Sequence, residues 1–181
     1  MTDCKPSPSP TDNTVQLSKH GETFADPSVY RIIVGALQYV AITRPEISFS
    51  VSRVRQYMYN PTMDHWKAVQ RILHYLKGTL TYGLSIAPST SSSMHVYCDV
   101  GWAADPDDRY HVSWLTSLLK ELQLPCRRAL VDRGQLSVRY IPSTDQTDDV
   151  FTKALSSSRF SQLRSKINVS KLDMSLLGGV R

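Results

Sequence analysis

The chain has 181 residues, of which 41% are hydrophobic, and it carries a formal net charge of +5. This length allows one or two small domains, and the apolar fraction excludes a chain that is disordered throughout. The basic excess is compatible with nucleic-acid contact, although an ordinary basic soluble protein has the same balance. No apolar run approaches the roughly 18 residues of a membrane span, so we expect no membrane association.

The three cysteines, Cys4, Cys98 and Cys126, lie far apart and show no paired spacing. We therefore expect neither a zinc site nor a disulfide framework. Reduced thiols indicate an intracellular compartment, which would be cytoplasmic or nuclear. The first residues lack the apolar core of a signal peptide, which agrees with that expectation.

An extended arm is predicted over residues 1–23, where Pro6, Pro8 and Pro10 stand among serine, threonine and aspartate. Proline fixes φ and removes a backbone donor, so this segment does not favour a helix. A helical region is predicted to follow over residues 24–83.

This helical region contains three predicted helices. Asp26-Pro27 opens the first, because a capping acid precedes a proline in the first turn. The third follows Asn60-Pro61-Thr62, and Gly78 stands where a C-terminal cap belongs. The second helix has apolar residues at amphipathic spacing, namely Ile47, Val51, Val54 and Met58. The apolar face of the third is predicted to hold Trp66, Val69, Ile72, Leu73 and Leu76.

The pattern changes its period after Gly83 and predicts an α/β part over 84–169, followed by a flexible tail over 170–181. The predicted fold class is therefore α+β. Strands are predicted over 84–86, 94–99 and 136–141. Helices are predicted over 113–122, 148–156 and 159–168.

A basic stripe on the third helix is the first candidate site. Its members, at helical spacing, are Lys67, Arg71, His74 and Lys77. A helix face with this charge could follow a phosphate backbone, each contact adding salt-dependent affinity. The alternative is the solvated outer face of an amphipathic helix.

Aspartates of the second half form the other candidate site. Asp99 ends a predicted strand and Asp149 begins a predicted helix, so both could be metal ligands. Cleavage of a phosphodiester by two metal ions needs several such carboxylates, and oxygen ligands suit Mg²⁺ or Mn²⁺. For Asp149, helix capping is the alternative. The other acids read as turn or capping residues, namely Asp105, Asp107, Asp108 and Asp145.

Long strings in the chain resemble the copia-type retrotransposon polyproteins. They include Gly35-Ala-Leu-Gln-Tyr39, Thr43-Arg-Pro-Glu-Ile47 and His74-Tyr-Leu-Lys-Gly-Thr79, and they cover residues 28–49, 56–58, 65–79 and 140–155. The resemblance implies that residues up to about 83 correspond to the end of the reverse transcriptase region and its connection. It implies an RNase H-like part after that, which in the family cuts the RNA strand of an RNA–DNA hybrid with Mg²⁺. Polymerase activity is not expected, because the family's polymerase acids would lie upstream of Met1.

The chain departs from the family pattern at the RNase H acids. The family's first aspartate falls on Asp99, within Tyr97-Cys-Asp-Val-Gly-Trp102, and its last falls on Asp149. Gly101 stands where the family has another aspartate. The family's Ser-Ala-Glu-Ala-Glu-Tyr-type and Cys-Asp-Asn strings do not occur here. Two internal deletions or a mis-spliced gene model are the simplest account.

These departures lead to three hypotheses. The leading one is a degenerate polyprotein fragment without catalysis, in which a helical connection-like region precedes an incomplete RNase H-like α/β remnant and no Mg²⁺ binds productively. The second is a residual Mg²⁺-dependent ribonuclease H, acting on RNA–DNA hybrids through Asp99 and Asp149. The third is a basic module that binds nucleic acid through the stripe.

Overall fold

The computed structural model describes residues 4–88, Glu121 and 141–172. The chain divides into two compact units, Met1–Ala87 with Asp149–Arg181, and Pro88–Asp148. All helices and strands labelled below belong to the first unit. The predicted strand 94–99 lies outside the described residues, as do helix 113–122 apart from Glu121 and strand 136–141 apart from Ile141.

Helix α1 spans Pro27–Thr43 and begins where the sequence predicts. The Asp26 carboxylate accepts hydrogen bonds from the backbone N–H groups of Ser28 and Val29 at 3.1 and 3.0 Å. These bonds satisfy donors that the first helical turn leaves open. The buried side of α1 is formed by Tyr30, Val34 and Leu37.

The second predicted helix is shorter than its apolar pattern indicates. A 3-10 turn over Pro45–Ile47 leads into α2, which spans Ser48–Arg55. Ile47, Val51 and Val54 are buried as predicted, whereas Met58 lies beyond the helix and packs against the core from a turn.

Helix α3 spans Met63–Gly78 and is capped by Thr62. The cap is reciprocal, because the Thr62 hydroxyl accepts from the backbone N–H of His65 at 3.5 Å while His65 Nδ1 accepts from the Thr62 N–H at 2.9 Å. The buried face of α3 is rotated about the helix axis relative to the predicted apolar face. Its fully buried members are His65, Val69, Ile72 and Tyr75, whereas Trp66, Leu73 and Leu76 are only partly buried.

Over residues 149–172, which the structure describes, the chain forms two further helices. Helix α4 spans Asp149–Thr152, and helix α5 spans Ser157–Lys166 behind the Ser156 cap. Helix α4 lies within the predicted segment 148–156. Helix α5 begins two residues before the predicted segment 159–168.

In the described part of the chain, β1 (Tyr82–Leu84) and β2 (Val169–Lys171) form a small antiparallel sheet. Tyr82 pairs with Lys171, and Leu84 pairs with Val169. The strand predicted at 84–86 therefore lies two residues earlier, and β2 takes in the first residues of the predicted tail 170–181. Helices with a small sheet make the described fold α+β.

The core draws side chains from both sides of the boundary predicted near residue 84. Its buried members are Tyr30, Val34, Leu37, Ile47, Val51, Val54, Val69, Ile72, Tyr75, Val150, Phe160 and Leu163. Helices α4 and α5 therefore complete the helical region rather than stand apart from it. Among the described residues, no helix has both the length and the hydropathy that crossing a bilayer requires.

Candidate functional site

The basic stripe lies on α3, where the sequence predicts it, and the arm runs along it. The Lys77 ammonium donates to the Cys4 carbonyl at 2.9 Å, and the His74 carbonyl accepts from the Ser7 N–H at 3.3 Å. Arg71 is held by the arm, whereas Lys67 pairs with Asp64 of its own helix at 2.9 Å. Access to the stripe therefore depends on the arm.

Arg71 makes the most specific contact with the arm. Its Nη1 lies 3.1 Å from the Asp12 carboxylate and its Nη2 lies 3.3 Å from the Ser9 hydroxyl. The Thr14 side chain and backbone N–H also donate to Asp12 and, together with Arg71, hold the pKa of that carboxyl below its usual value. Asp12 is therefore ionised opposite Arg71.

The rest of the arm is fastened to α2 and α3. Ser9 is buried, and the Thr11 hydroxyl bonds to the hydroxyl of Ser50. Further along, the Val15 and Leu17 carbonyls accept from Arg53 and Tyr57 of α2 and the turn after it. Residues 4–23 of the arm form no helix, bend at 8–11 and 13–14, and are part of the packed unit.

A cavity of about 330 Å³ lies between the arm and the helices α2 and α3. Its walls combine charged groups with apolar side chains. Its lining includes Asp12, Arg53, Asp64, Lys67, Arg71, Val15, Leu17, Val54, Ala68 and Ile72. The sequence offers no local signal for this cavity, because the arm that closes it is distant in sequence from the helices beneath.

Asp149, one of the two predicted metal ligands, is the first residue of α4 and is 8% exposed. Its carboxylate lies 2.8 Å from the Lys153 ammonium and 3.8 Å from the Arg159 guanidinium. In this structure the carboxylate is therefore paired with cationic side chains, and its role as a metal ligand stays a prediction. Among the described residues, no group of three or more His, Cys, Asp or Glu side chains could hold a metal ion. Asp99 lies outside the described residues.

A buried polar network joins α3 to the turn after α1. Arg44 Nε donates to Glu46 at 2.7 Å, and its terminal nitrogens donate to the Thr79 carbonyl and hydroxyl at 2.9 and 2.7 Å. The Tyr75 hydroxyl donates to the same Glu46 oxygen at 3.2 Å, and burial raises the pKa of Tyr75. The string Thr43-Arg-Pro-Glu-Ile47 carries both charges of this network, so a sequence signal for it exists.

Arg164 of α5 extends this network. Its Nη1 lies 3.3 Å from the Tyr75 hydroxyl, and its guanidinium carbon lies 4.5 Å from the centre of the Tyr82 ring. These contacts join α3, α5 and β1. The network therefore supports the architecture and shows no arrangement for nucleophilic catalysis.

His65, in the first turn of α3, is fully buried. Its ring stacks on Tyr57 with centroids 3.8 Å apart. Because Nδ1 accepts the Thr62 N–H bond, the neutral ring carries its proton on Nε2. Burial lowers the pKa of His65, which favours the neutral form.

Comparisons with known proteins return no matching protein-family profile and no matching solved structure. Among curated proteins, the retrovirus-related Pol polyprotein from transposon RE2 of Arabidopsis thaliana is 45% identical over 109 residues, which is 60% of this chain and 8% of that protein. The corresponding polyprotein from transposon RE1 of the same plant is 44% identical over 109 residues, which is 60% of this chain and 7% of that polyprotein. An uncharacterized mitochondrial protein of Arabidopsis thaliana is 41% identical over 103 residues, covering 57% of this chain and 43% of that protein. The chain thus spans a small part of the polyproteins that it matches.

Proposed function

Because the chain belongs to the copia-type retrotransposon Pol polyproteins, we propose that it is a degenerate piece of such a polyprotein and does not cleave nucleic acid. In this proposal, residues 24–83 correspond to the end of the reverse transcriptase region and its connection. Residues 84–169 correspond to an incomplete RNase H-like part. The arm and the helices then persist as a folded unit that has lost its chemistry.

The charge environment of Asp149 carries this proposal. Hydrolysis by two metal ions needs carboxylates that converge on the ions and neutralise them. Here Lys153 and Arg159 approach that carboxylate instead, and a divalent cation would have to displace both. Gly101 replaces a further family acid close to Asp99 in sequence, which weakens the same site.

A cleavage assay tests the loss of catalysis. The full chain is incubated with an end-labelled RNA–DNA hybrid in Mg²⁺ and then in Mn²⁺, beside an active ribonuclease H and the variants Asp99→Asn and Asp149→Asn. We expect no cleavage by the chain above that of the two variants. Cleavage of the RNA strand that disappears in Asp99→Asn would overturn the proposal in favour of a residual ribonuclease.

Nucleic-acid binding by the basic stripe is a second candidate function. The oxygens that contact the stripe support it, because the Asp12 carboxylate on Arg71 and the Cys4 carbonyl on Lys77 take positions that phosphate oxygens could take. Binding would then require the arm to leave α3. Such binding would be independent of base sequence.

Salt dependence tests this second function. If Lys67, Arg71 and Lys77 each contact one phosphate, affinity for a labelled hybrid falls roughly 40-fold between about 50 and 200 mM salt. The double variant Lys67→Glu with Arg71→Glu should abolish this affinity. The control double variant, Arg31→Glu with Arg55→Glu, makes the same charge change at exposed positions on α1 and α2. Equal losses of affinity in both double variants would show that net charge, and not the stripe, accounts for the binding.

A further inference from the structure

The cavity beneath the arm has the size and the wall chemistry of a small-molecule site. Its volume of about 330 Å³ is comparable with ligand pockets of roughly 300–1,000 Å³. Val15 and Leu17 contribute accessible apolar surface from the arm, and Ala68 contributes it from α3. Arg53 and Arg71 also line the cavity and supply positive charge.

Arg71 has hydrogen-bonding capacity that its present partners do not use. Its Nε is buried and has no hydrogen-bond partner among the described residues. A guanidinium offers donors in a planar fork that matches carboxylate and phosphate oxygens. An acceptor with several oxygens would satisfy Arg71 more completely than the single Asp12 oxygen now 3.1 Å from Nη1.

The Asp12 carboxylate shows the position at which an anion contacts Arg71. The Asp12 and Arg71 side chains are 34% and 31% exposed, so solvent reaches the pair and another anion can exchange for the carboxylate. Lys67 lies at the same cavity, and its ion pair with Asp64 is more exposed still. Exposed pairs of this kind contribute little and rearrange readily.

We propose that this cavity binds a small molecule with a phosphate group and an apolar body, of the size of a mononucleotide. Arg71 contacts the phosphate in place of the Asp12 carboxylate, and Arg53 and Lys67 add positive charge around it. The apolar body lies against Val15, Leu17 and Ala68. The inference goes beyond the proposed function and does not depend on whether the chain cleaves nucleic acid.

Calorimetric titration of the full chain tests this site with adenosine monophosphate, inorganic phosphate and adenosine as probes. We expect the monophosphate to bind more tightly than either of its parts, because each part uses one wall of the cavity. Arg71→Gln should weaken binding of the monophosphate about 10- to 100-fold, the usual worth of a charged hydrogen bond. Asp12→Asn should strengthen it several-fold, because it removes the competing carboxylate.

Arg55→Gln is the matched control, because Arg55 is an exposed arginine of α2 outside the cavity lining. Thermal unfolding of each variant checks that it is folded. A gain of affinity in Asp12→Asn cannot come from partial unfolding, so this variant separates ligand binding from a structural role. Unchanged affinity in Arg71→Gln, weaker binding in Asp12→Asn, an equal loss in Arg55→Gln, or no binding up to about 1 mM would each overturn the assignment.

Discussion

His65 shows how one buried side chain makes a helix start sensitive to pH. Its Nδ1 must accept the Thr62 N–H, and a protonated ring has no lone pair for that bond. The ring is also stacked on Tyr57 in the interior. Protonation therefore breaks the cap of α3 and places a charge where water does not reach it.

The first prediction follows from the lowered pKa of His65. The folded pKa lies below the ordinary value of 6.5, so the unfolded chain binds the proton first as pH falls. The contribution of His65 to stability is therefore complete above about pH 6.5 and is lost as pH falls towards the folded pKa. Urea unfolding at about pH 7.5 and 5.5 should show this loss.

His65→Gln should reduce the pH dependence of stability, since glutamine at this position can still cap the helix. His20→Gln, at an exposed position, should leave it unchanged.

The second prediction concerns the buried pair of Arg44 and Glu46, whose side chains are 8% and 0% exposed. Glu46→Ala leaves the Arg44 guanidinium buried without its carboxylate, so we expect a loss of about 3–5 kcal/mol in the free energy of unfolding. Arg44→Met with Glu46→Leu removes both charges and should cost less than Glu46→Ala alone. Denaturant unfolding measures both changes. Asp64→Ala breaks an exposed pair and should change stability little. A double variant less stable than Glu46→Ala would contradict this view of the network.

At the scale of elements, the contact between the arm and the end of α3 depends on a small residue. A Cβ at Gly78 would lie 2.8 Å from the Pro6 Cβ, whereas a Cβ at Gly35 would meet nothing within 4 Å. Gly35 lies within α1, whereas Gly78 is the last residue of α3, and the C-cap is Thr79 instead of the predicted Gly78. Alanine raises helix propensity at both positions, by roughly 1 kcal/mol in a helix interior. The two positions therefore form a matched pair that separates propensity from packing.

The third prediction uses this pair. Gly35→Ala should stabilise the chain by up to about 1 kcal/mol. Gly78→Ala should displace the arm near Pro6 and expose the Ser7 N–H, which now donates to His74 at 3.3 Å. Hydrogen exchange reports this as faster exchange at Ser7 with little change in the middle of α3. Unchanged exchange at Ser7 would show that the arm adjusts without leaving the helix.

At the scale of the whole molecule, stability depends on segments that are distant in sequence. Val150, Phe160 and Leu163 belong to the same core as the side chains of α1–α3. The pairing of β1 with β2 joins the two stretches a second time. Residues 149–172 are therefore expected to unfold together with the helical region.

The fourth prediction tests this cooperation. Leu163 is fully buried, so Leu163→Ala should lower the free energy of unfolding by about 2–5 kcal/mol. The loss should also appear as faster hydrogen exchange throughout α3. Gln162→Ala, at an exposed position of the same helix, should have little effect. Faster exchange confined to α5 in Leu163→Ala would indicate that α5 unfolds separately.

Some of this architecture could be predicted from short-range patterns. The Asp26 cap of α1 and the Thr62 start of α3 depend on residues within one turn, and both starts are confirmed. The buried face of α3 could be predicted only in part. Val69 and Ile72 are buried as predicted, but Tyr75 is also buried because Glu46, Arg164 and Phe160 surround it. The pattern within α3 contains no information about those partners.

The sequence by itself determined the family, the α+β class and the helix starts, because long strings and local caps depend only on neighbouring residues. The basic stripe and Asp149 were also found from sequence as candidate residues, and their roles stay predictions. Only the tertiary structure decided which groups they meet. It placed the arm on α3, Asp12 on Arg71, and Lys153 with Arg159 at Asp149. The Asp12–Arg71 contact joins residues 59 positions apart, which come together because the arm and helices share one core and not because of any pattern along the chain.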